Sequence, residues 1–256
     1  MTTPIDISEQ AGVRYLHFGS EWIQGAMRLR QPNALELAYT REMMAGLLLR
    51  DGLHDDGDIW PRKILIIGLG AASILKYLYY HCPQARLDVV EIEPAVVTAA
   101  QQYFCLPNED ERLSIHIGDG VRYLLERQTR YDYVLVDGYD QDARAGALDT
   151  LPFHQAVRAR LSEQGLVAYN LFGRAKGYAA SIERIMKAFD DRTIAFPSCD
   201  GGNIVAFAAA GSVIERSIAE LRTRATQLKT QTGLDLLRTI SRLEGAGSLP
   251  GGMLVL

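Results

Sequence analysis

The chain reads as an α/β protein built on a doubly wound, mainly parallel sheet. Three observations predict this. From Lys63 onward, short apolar runs recur without polar alternation: KILIIG, LDVVEI, LSIHI, YDYVLVD, GLVAYNL and NIVAFAA. Helical stretches stand between most of them: SILKYLYYHC, AVVTAAQQYF, VRYLLERQ, PFHQAVRARL and YAASIERIMKAF. Strands without alternation are buried on both faces, which calls for helices on both sides of a parallel sheet. Finally, 256 residues that are 48% hydrophobic supply a core for one large domain, or a large and a small one.

Taken in order, residues 1–55 form a small N-terminal region. VRYLHFGSEWIQGAMRL mixes β-formers with glycine and polar interruptions and predicts a hairpin or small meander. NALELAYTREMMAGLLL has apolar residues at helical spacing, with Asn33 as the expected N-cap. RDGLHDDGDIWPR is polar and carries Gly and Pro, so it is expected to be the linker. Residues 56–210 hold the alternating strands and helices. Residues 211–256 predict a tail of two helices, SVIERSIAELRTRATQLKT and LDLLRTISRL. The tail ends in LPGGMLVL, an apolar stretch that could dock on the body or on a partner subunit.

Composition narrows the function. A net charge of −4 gives no electrostatic reason to expect nucleic acid. Cys82, Cys105 and Cys199 are widely spaced, odd in number and without a CxxC, so neither a disulfide framework nor a zinc site is expected. His17, His54, His81, His116 and His154 are scattered without ligand spacing, and no metal is expected. The start MTTPIDISEQ lacks a basic segment followed by an apolar run, and no run approaches the ~20 apolar residues that span a bilayer. A cytoplasmic protein is the expectation.

Doubly wound sheets bind ligands beyond the carboxyl ends of their strands. The loops there carry the candidate residues. ILIIGLGAAS places Gly68 and Gly70 between a strand and a helix, where a ligand can approach the backbone closely. Many α/β turns use glycine, so this loop by itself identifies no ligand. Glu91 ends the next strand about 20 residues on, a spacing at which an acid can accept from ribose hydroxyls. Asp119 follows the third strand; it suits a helix N-cap, and equally a hydrogen bond to an adenine amino group. Asp137 and Asp140 follow VLV, where DGYD also suits a tight turn. Together the four acids would share one sheet edge. Clustered carboxylates repel one another unless a cation is present, so a cationic ligand is expected.

In these motifs the chain resembles the spermidine synthases, or polyamine aminopropyltransferases. The glycine loop, VEIEP, GDG and YDYVLVDGYD follow one another as in that family, and the likeness extends to QGAMRL with ELAY and to FPSCDGGNIVAFA. It spans roughly residues 13 to 210. The resemblance implies the Rossmann-like fold of class I S-adenosylmethionine-dependent methyltransferases, a small N-terminal β-domain, and an amine acceptor. It implies that Gln24 contacts the nucleoside donor and that Tyr39 lines the cleft. It implies Glu91 on the ribose and Asp119 on the adenine. Asp137 would be the general base and Asp140 would help hold the amine, with Phe196 at the place of a substrate-binding Tyr. It also implies association, such as a homodimer.

The departures set the alternatives. Ala71 stands where the family's glycine loop carries an Asp that meets the ammonium of decarboxylated S-adenosylmethionine. Phe196 replaces a Tyr, Gln141 a Pro, Tyr139 a small hydroxyl residue, and Thr40 a His or Gln. Aminopropyl transfer from decarboxylated S-adenosylmethionine is the first reading. Methyl transfer from intact S-adenosylmethionine is the second, and a non-catalytic nucleoside-binding relative the third. A nicotinamide dehydrogenase fits less well, because the loop lacks the third glycine of GxGxxG.

Overall fold

The computed structural model describes residues 4–50, 59–140, 144–172, 178–247 and 249–256. The chain opens with strands β1 (Asp6–Gln10), β2 (Val13–His17) and β3 (Gly25–Arg28), an antiparallel three-stranded sheet. Helices α1 (Ala38–Met43) and α2 (Gly46–Leu49) follow. The expected domain boundary between residues 55 and 56, most of the expected linker, and His54 lie outside the described residues, as does Gln141.

The body then alternates: β4 (Lys63–Ile67), α3 (Ser73–His81), β5 (Arg86–Glu91), α4 (Pro94–Tyr103), β6 (Leu113–Ile117), α5 (Gly120–Glu126) and β7 (Tyr131–Val136). Next come α6 (Leu151–Ala159), β8 (Leu161–Phe172), α7 (Tyr178–Ala188), β9 (Thr193–Ala195) and β10 (Asn203–Ala209). These strands form one seven-stranded sheet in the order β6-β5-β4-β7-β8-β10-β9. Pairing is parallel from β6 to β8, while β10 runs antiparallel to both β8 and β9. The strand order reverses between β4 and β7, which opens the crevice used by ligands in such sheets.

Both faces of the sheet are covered. Alternate residues of β4 show it: Ile64 and Ile66 enter one core with α1 to α3, while Leu65 and Ile67 enter another with Phe153, Val157 and Ile185. Met43, Met44, Leu48 and Leu49 share the first core, so α1 and α2 pack on the main sheet.

The tail contains β11 (Glu215–Ser217), α8 (Ile218–Thr232), α9 (Leu237–Gly245) and β12 (Met253–Val255). A Ser217–Glu220 capping box starts α8, and Gly233 ends it in a left-handed conformation. The apolar terminus docks on the chain's own body. Leu254 and Leu256 are buried in the first core, and Leu256 exchanges backbone hydrogen bonds with Ile214.

One expected element differs. The helix expected from Asn33 begins only at Ala38, with Leu37 at its N-cap and no side-chain cap. Asn33 lies in a turn ahead of it. Tertiary contacts override the local pattern there: Leu35 is buried, Glu36 pairs with Arg28, and Arg41 Nη1 donates to the Leu35 carbonyl at 3.1 Å. The helix also breaks between Met43 and Gly46. The Tyr133 hydroxyl donates to the Met43 carbonyl and fills the space a Cβ at residue 46 would need.

The loop after β7 is anchored from below. Asp149, in a 3-10 turn over Gly146–Asp149, accepts from Ser181 Oγ at 2.7 Å and Arg184 Nη2 at 2.6 Å, both on α7. Burial opposes ionisation of this carboxyl, but His154, Arg184 and Ser181 outweigh it and hold its pKa at about 2. An unfolded Asp titrates near ~3.9, so the contribution is complete above that pH and is lost as pH falls toward 2. Acid unfolding of the wild type should therefore steepen between pH ~4 and ~2, and Asp149→Asn should flatten that part of the curve. Chemical denaturation at a series of pH values checks this.

Candidate active site

A cavity of about 560 Å³ opens at the carboxyl edge of the sheet, beside the strand reversal. Its wall takes residues from the loops after β4 (Gly68, Gly70), β5 (Glu91, Ile92), β6 (Gly118, Asp119) and β7 (Asp137 to Asp140). Asn170 and Phe172 from the end of β8 complete that side. Asn203 joins them because β10 is antiparallel, so its first residue pairs with Phe172 at the same edge. The segment between β2 and β3 supplies Phe18, Glu21, Trp22, Ile23 and Gln24, and α1 with its entry supplies Leu37, Ala38 and Tyr39.

Asp137 lies at the junction. Its backbone N–H continues the β4–β7 pairing by donating to the Ile67 carbonyl at 2.8 Å. Gly68 meets it from the other side. At φ +98° a Cβ on Gly68 would overlap the Asp137 carbonyl oxygen, so glycine is needed here for the close approach of two loops. Asn170 Nδ2 donates to Asp137 Oδ1 at 2.7 Å, and the Tyr39 hydroxyl donates to Oδ2 at 3.1 Å. Asn170 is itself held, since Asn203 Nδ2 donates to its Oδ1 at 2.9 Å. Burial pushes the Asp137 carboxyl above the ordinary value for an Asp, and the bonds from Asn170 and Tyr39 pull it part of the way back. Burial, with Asp137 close by, pushes the Tyr39 hydroxyl well above its ordinary value, so Tyr39 remains a donor.

Glu91 is 7% exposed and already occupied on both oxygens. Leu69 N–H donates to Oε2 at 2.8 Å and Glu93 N–H to Oε1 at 2.9 Å. The carboxylate thereby pins the glycine loop to the end of β5, and each oxygen retains a lone pair for a hydroxyl donor. Burial raises its pKa, and the backbone donors oppose the rise. Asp119 caps α5, its side chain accepting from Arg122 N–H at 2.8 Å, and it also lines the cavity. Asp140 is exposed and ties the loop by accepting from Arg144 N–H at 2.9 Å.

Gln24, Gly68, Gly70, Tyr39, Glu91, Asp119, Asp137 and Asp140 therefore all reach one cavity. Phe196 does not. It is 4% exposed, stacked at a tilt on Phe207 with ring centroids 4.9 Å apart, and lies in the first core. An apolar ring without the hydroxyl of a Tyr packs there with no polar cost. Ala71 is likewise off the cavity wall: it packs with Leu16, Met27, Ala99 and Phe104 beneath the N-terminal sheet. Among the described residues, no group of three or more His, Cys, Asp or Glu is placed to hold a metal, and no helix is long and apolar enough to cross a membrane.

Two positions at the cavity escape sequence reasoning. Asn170 and Asn203 sit in runs that read as apolar strands, GLVAYNL and NIVAFAA. An Asn in a strand buried on both faces needs a polar partner, and that is the signal available. Trp22 and Phe172 form the rim, edge to face with centroids 5.5 Å apart.

Asn170→Ala should raise the Asp137 carboxyl titration by about one pH unit, the value of one lost charged hydrogen bond. The ¹³C carboxyl shift of Asp137, followed against pH, reads it.

The model of the spermine/spermidine synthase domain matches residues 37–172, just over half of the chain. The polyamine aminopropyltransferase of Neisseria meningitidis is 34% identical over 242 residues, covering 94% of this chain and 89% of that protein. The structure of a probable spermidine synthase from Corynebacterium glutamicum superposes with a TM-score of 0.69 at 19% identity, covering 88% of this chain and 83% of that one. That of human methyltransferase-like protein 13 in complex with SAH superposes with a TM-score of 0.65 at 25% identity, covering 80% and 93%.

Proposed function

The chain belongs to the spermine/spermidine synthase family, and we propose that it transfers an aminopropyl group from decarboxylated S-adenosylmethionine to a small amine, with Asp137 as the general base. The observation that carries this reading is the half-buried Asp137 carboxylate at the cavity, oriented by Asn170 and Tyr39.

An amine of pKa near ~10 is almost wholly protonated at neutral pH and cannot attack carbon. Asp137 attracts that cation, orients it and takes its proton. The nitrogen lone pair then attacks the aminopropyl carbon beside the sulfonium. The C–N bond forms as the C–S bond breaks, and the electron pair returns to sulfur to leave neutral methylthioadenosine. The raised pKa makes Asp137 a stronger base than an exposed Asp, and such a base contributes ~10²- to 10⁴-fold. Holding two cationic substrates side by side supplies the rest.

The remaining roles follow the same reading. Glu91 accepts from the ribose hydroxyls while pinning the loop of Gly68 and Gly70. Asp119 accepts from the adenine amino group with the acceptor capacity its cap leaves. Gln24 contacts the nucleoside, and Asp140 adds negative charge for the amine. Phe196 acts on the site only through the core beneath it.

A second reading, methyl transfer from intact S-adenosylmethionine, stays open because Ala71 supplies no carboxylate to the donor and packs beneath the N-terminal sheet.

A product assay separates the two. Purified protein incubated with decarboxylated S-adenosylmethionine and a pool of diamines and polyamines should yield methylthioadenosine and a lengthened amine by mass spectrometry. S-adenosylhomocysteine formed from the intact donor, with no lengthened amine, would replace this reading by the second.

A further inference from the structure

The helical tail lies beyond the residues that the family model matches, yet it grips the helix that carries Tyr39. Helix α1 holds Tyr39 and Glu42 three positions apart, so one helical turn couples their placement. Glu42 is 1% exposed. Its Oε2 accepts from Arg242 Nη2 of α9, and its Oε1 has no partner among the described residues. The same guanidinium donates through Nε to the Pro197 carbonyl at 3.2 Å. A second tail arginine, Arg224 of α8, donates to the Arg50 carbonyl just past α2 at 2.7 Å. In return, Arg50 Nη2 donates to the Ala210 carbonyl at 2.7 Å, where the tail begins. Ile240 and Leu243 of α9 share one core with Met43 and Met44. A buried carboxylate with one cationic partner makes that partner costly to lose.

We propose that Arg242 is a positioning residue for the active site: through Glu42 it fixes α1 so that the Tyr39 hydroxyl stays on the Asp137 carboxylate. Around Asp137 stand Tyr39 from α1, Asn170 from β8 and Tyr139 from its own loop, with Cys199 near Tyr39 and Asp149 near Tyr139. The significance of the inference rests on Asp137 being the base. Its test needs no substrate, so a wild type without transferase activity would sink the functional reading and leave this one standing to be tested.

The full chain, ¹³C-labelled at the Asp carboxyls, is titrated by NMR, with the Asp137 signal assigned by its loss in Asp137→Asn. Tyr39→Phe should raise the Asp137 midpoint by about one pH unit. Arg242→Met should raise it in the same direction and add nothing in the Tyr39→Phe background. A direct field of the guanidinium on Asp137 would instead add in full to the Tyr39→Phe shift, and that result overturns the proposal. So does an Arg242→Met protein of lowered Tm whose Asp137 midpoint is unmoved. Should Arg242→Met fail to fold, Glu42→Gln/Arg242→Met removes both buried charges. That double variant should fold with a raised midpoint; a folded double variant with the wild-type midpoint also overturns the proposal.

Discussion

A carboxylate drawn partly out of water needs hydrogen-bond donors, and the arrangement of this protein follows from how the half-buried Asp137 is given its own. One donor, Tyr39, comes from a helix that precedes the main sheet in sequence. The other, Asn170, comes from the end of β8 and is braced by Asn203 at the start of β10. A fourth segment, the loop at Gly68, presses on the Asp137 backbone closely enough to exclude a side chain. The antiparallel turn of β10 has a purpose in this light, because a parallel strand would present its last residue, not its first, at the cavity edge.

The same constraint links chemistry to binding. Burial makes Asp137 more basic and also makes its charge expensive without a counter-ion. Under the proposed function a cationic amine would supply that counter-ion, so the group that removes the proton would also select the substrate by charge. Glu91 faces a related conflict and resolves it differently. Two backbone N–H groups stabilise its charge before any ligand binds, and in doing so they set the glycine loop in place.

Much of this was legible in the sequence for a topological reason. Strands buried on both faces read as apolar runs, and the first polar residue after each run falls at the carboxyl edge. Glu91, Asp119 and Asp137 stand at such positions, Gly68 opens the turn after the first run, and all four share one cavity. What stayed hidden depends on contacts between distant segments. Asn170 lies inside an apolar run, and its value comes from facing Asp137 across 33 positions of chain. Asn33 has the local chemistry of a helix cap, but the burial of Leu35 and the Arg28–Glu36 pair move the helix start to Ala38. Phe196 stands at the place of a substrate-binding Tyr by resemblance to the family and is a core residue by packing. Ala71 likewise faces Leu16 and Met27, away from the cavity, which neither its identity nor its neighbours in sequence reveal.

The most direct measurement is a single-turnover comparison of the wild type with Asp137→Asn, using decarboxylated S-adenosylmethionine, the amine accepted by the wild type, and methylthioadenosine binding as a control. The account predicts that the variant binds methylthioadenosine as the wild type does and loses ~10²- to 10⁴-fold in the rate of aminopropyl transfer. An unchanged transfer rate in a variant that binds normally would contradict it, because the carboxylate around which the cavity is built would then take no part in the chemistry.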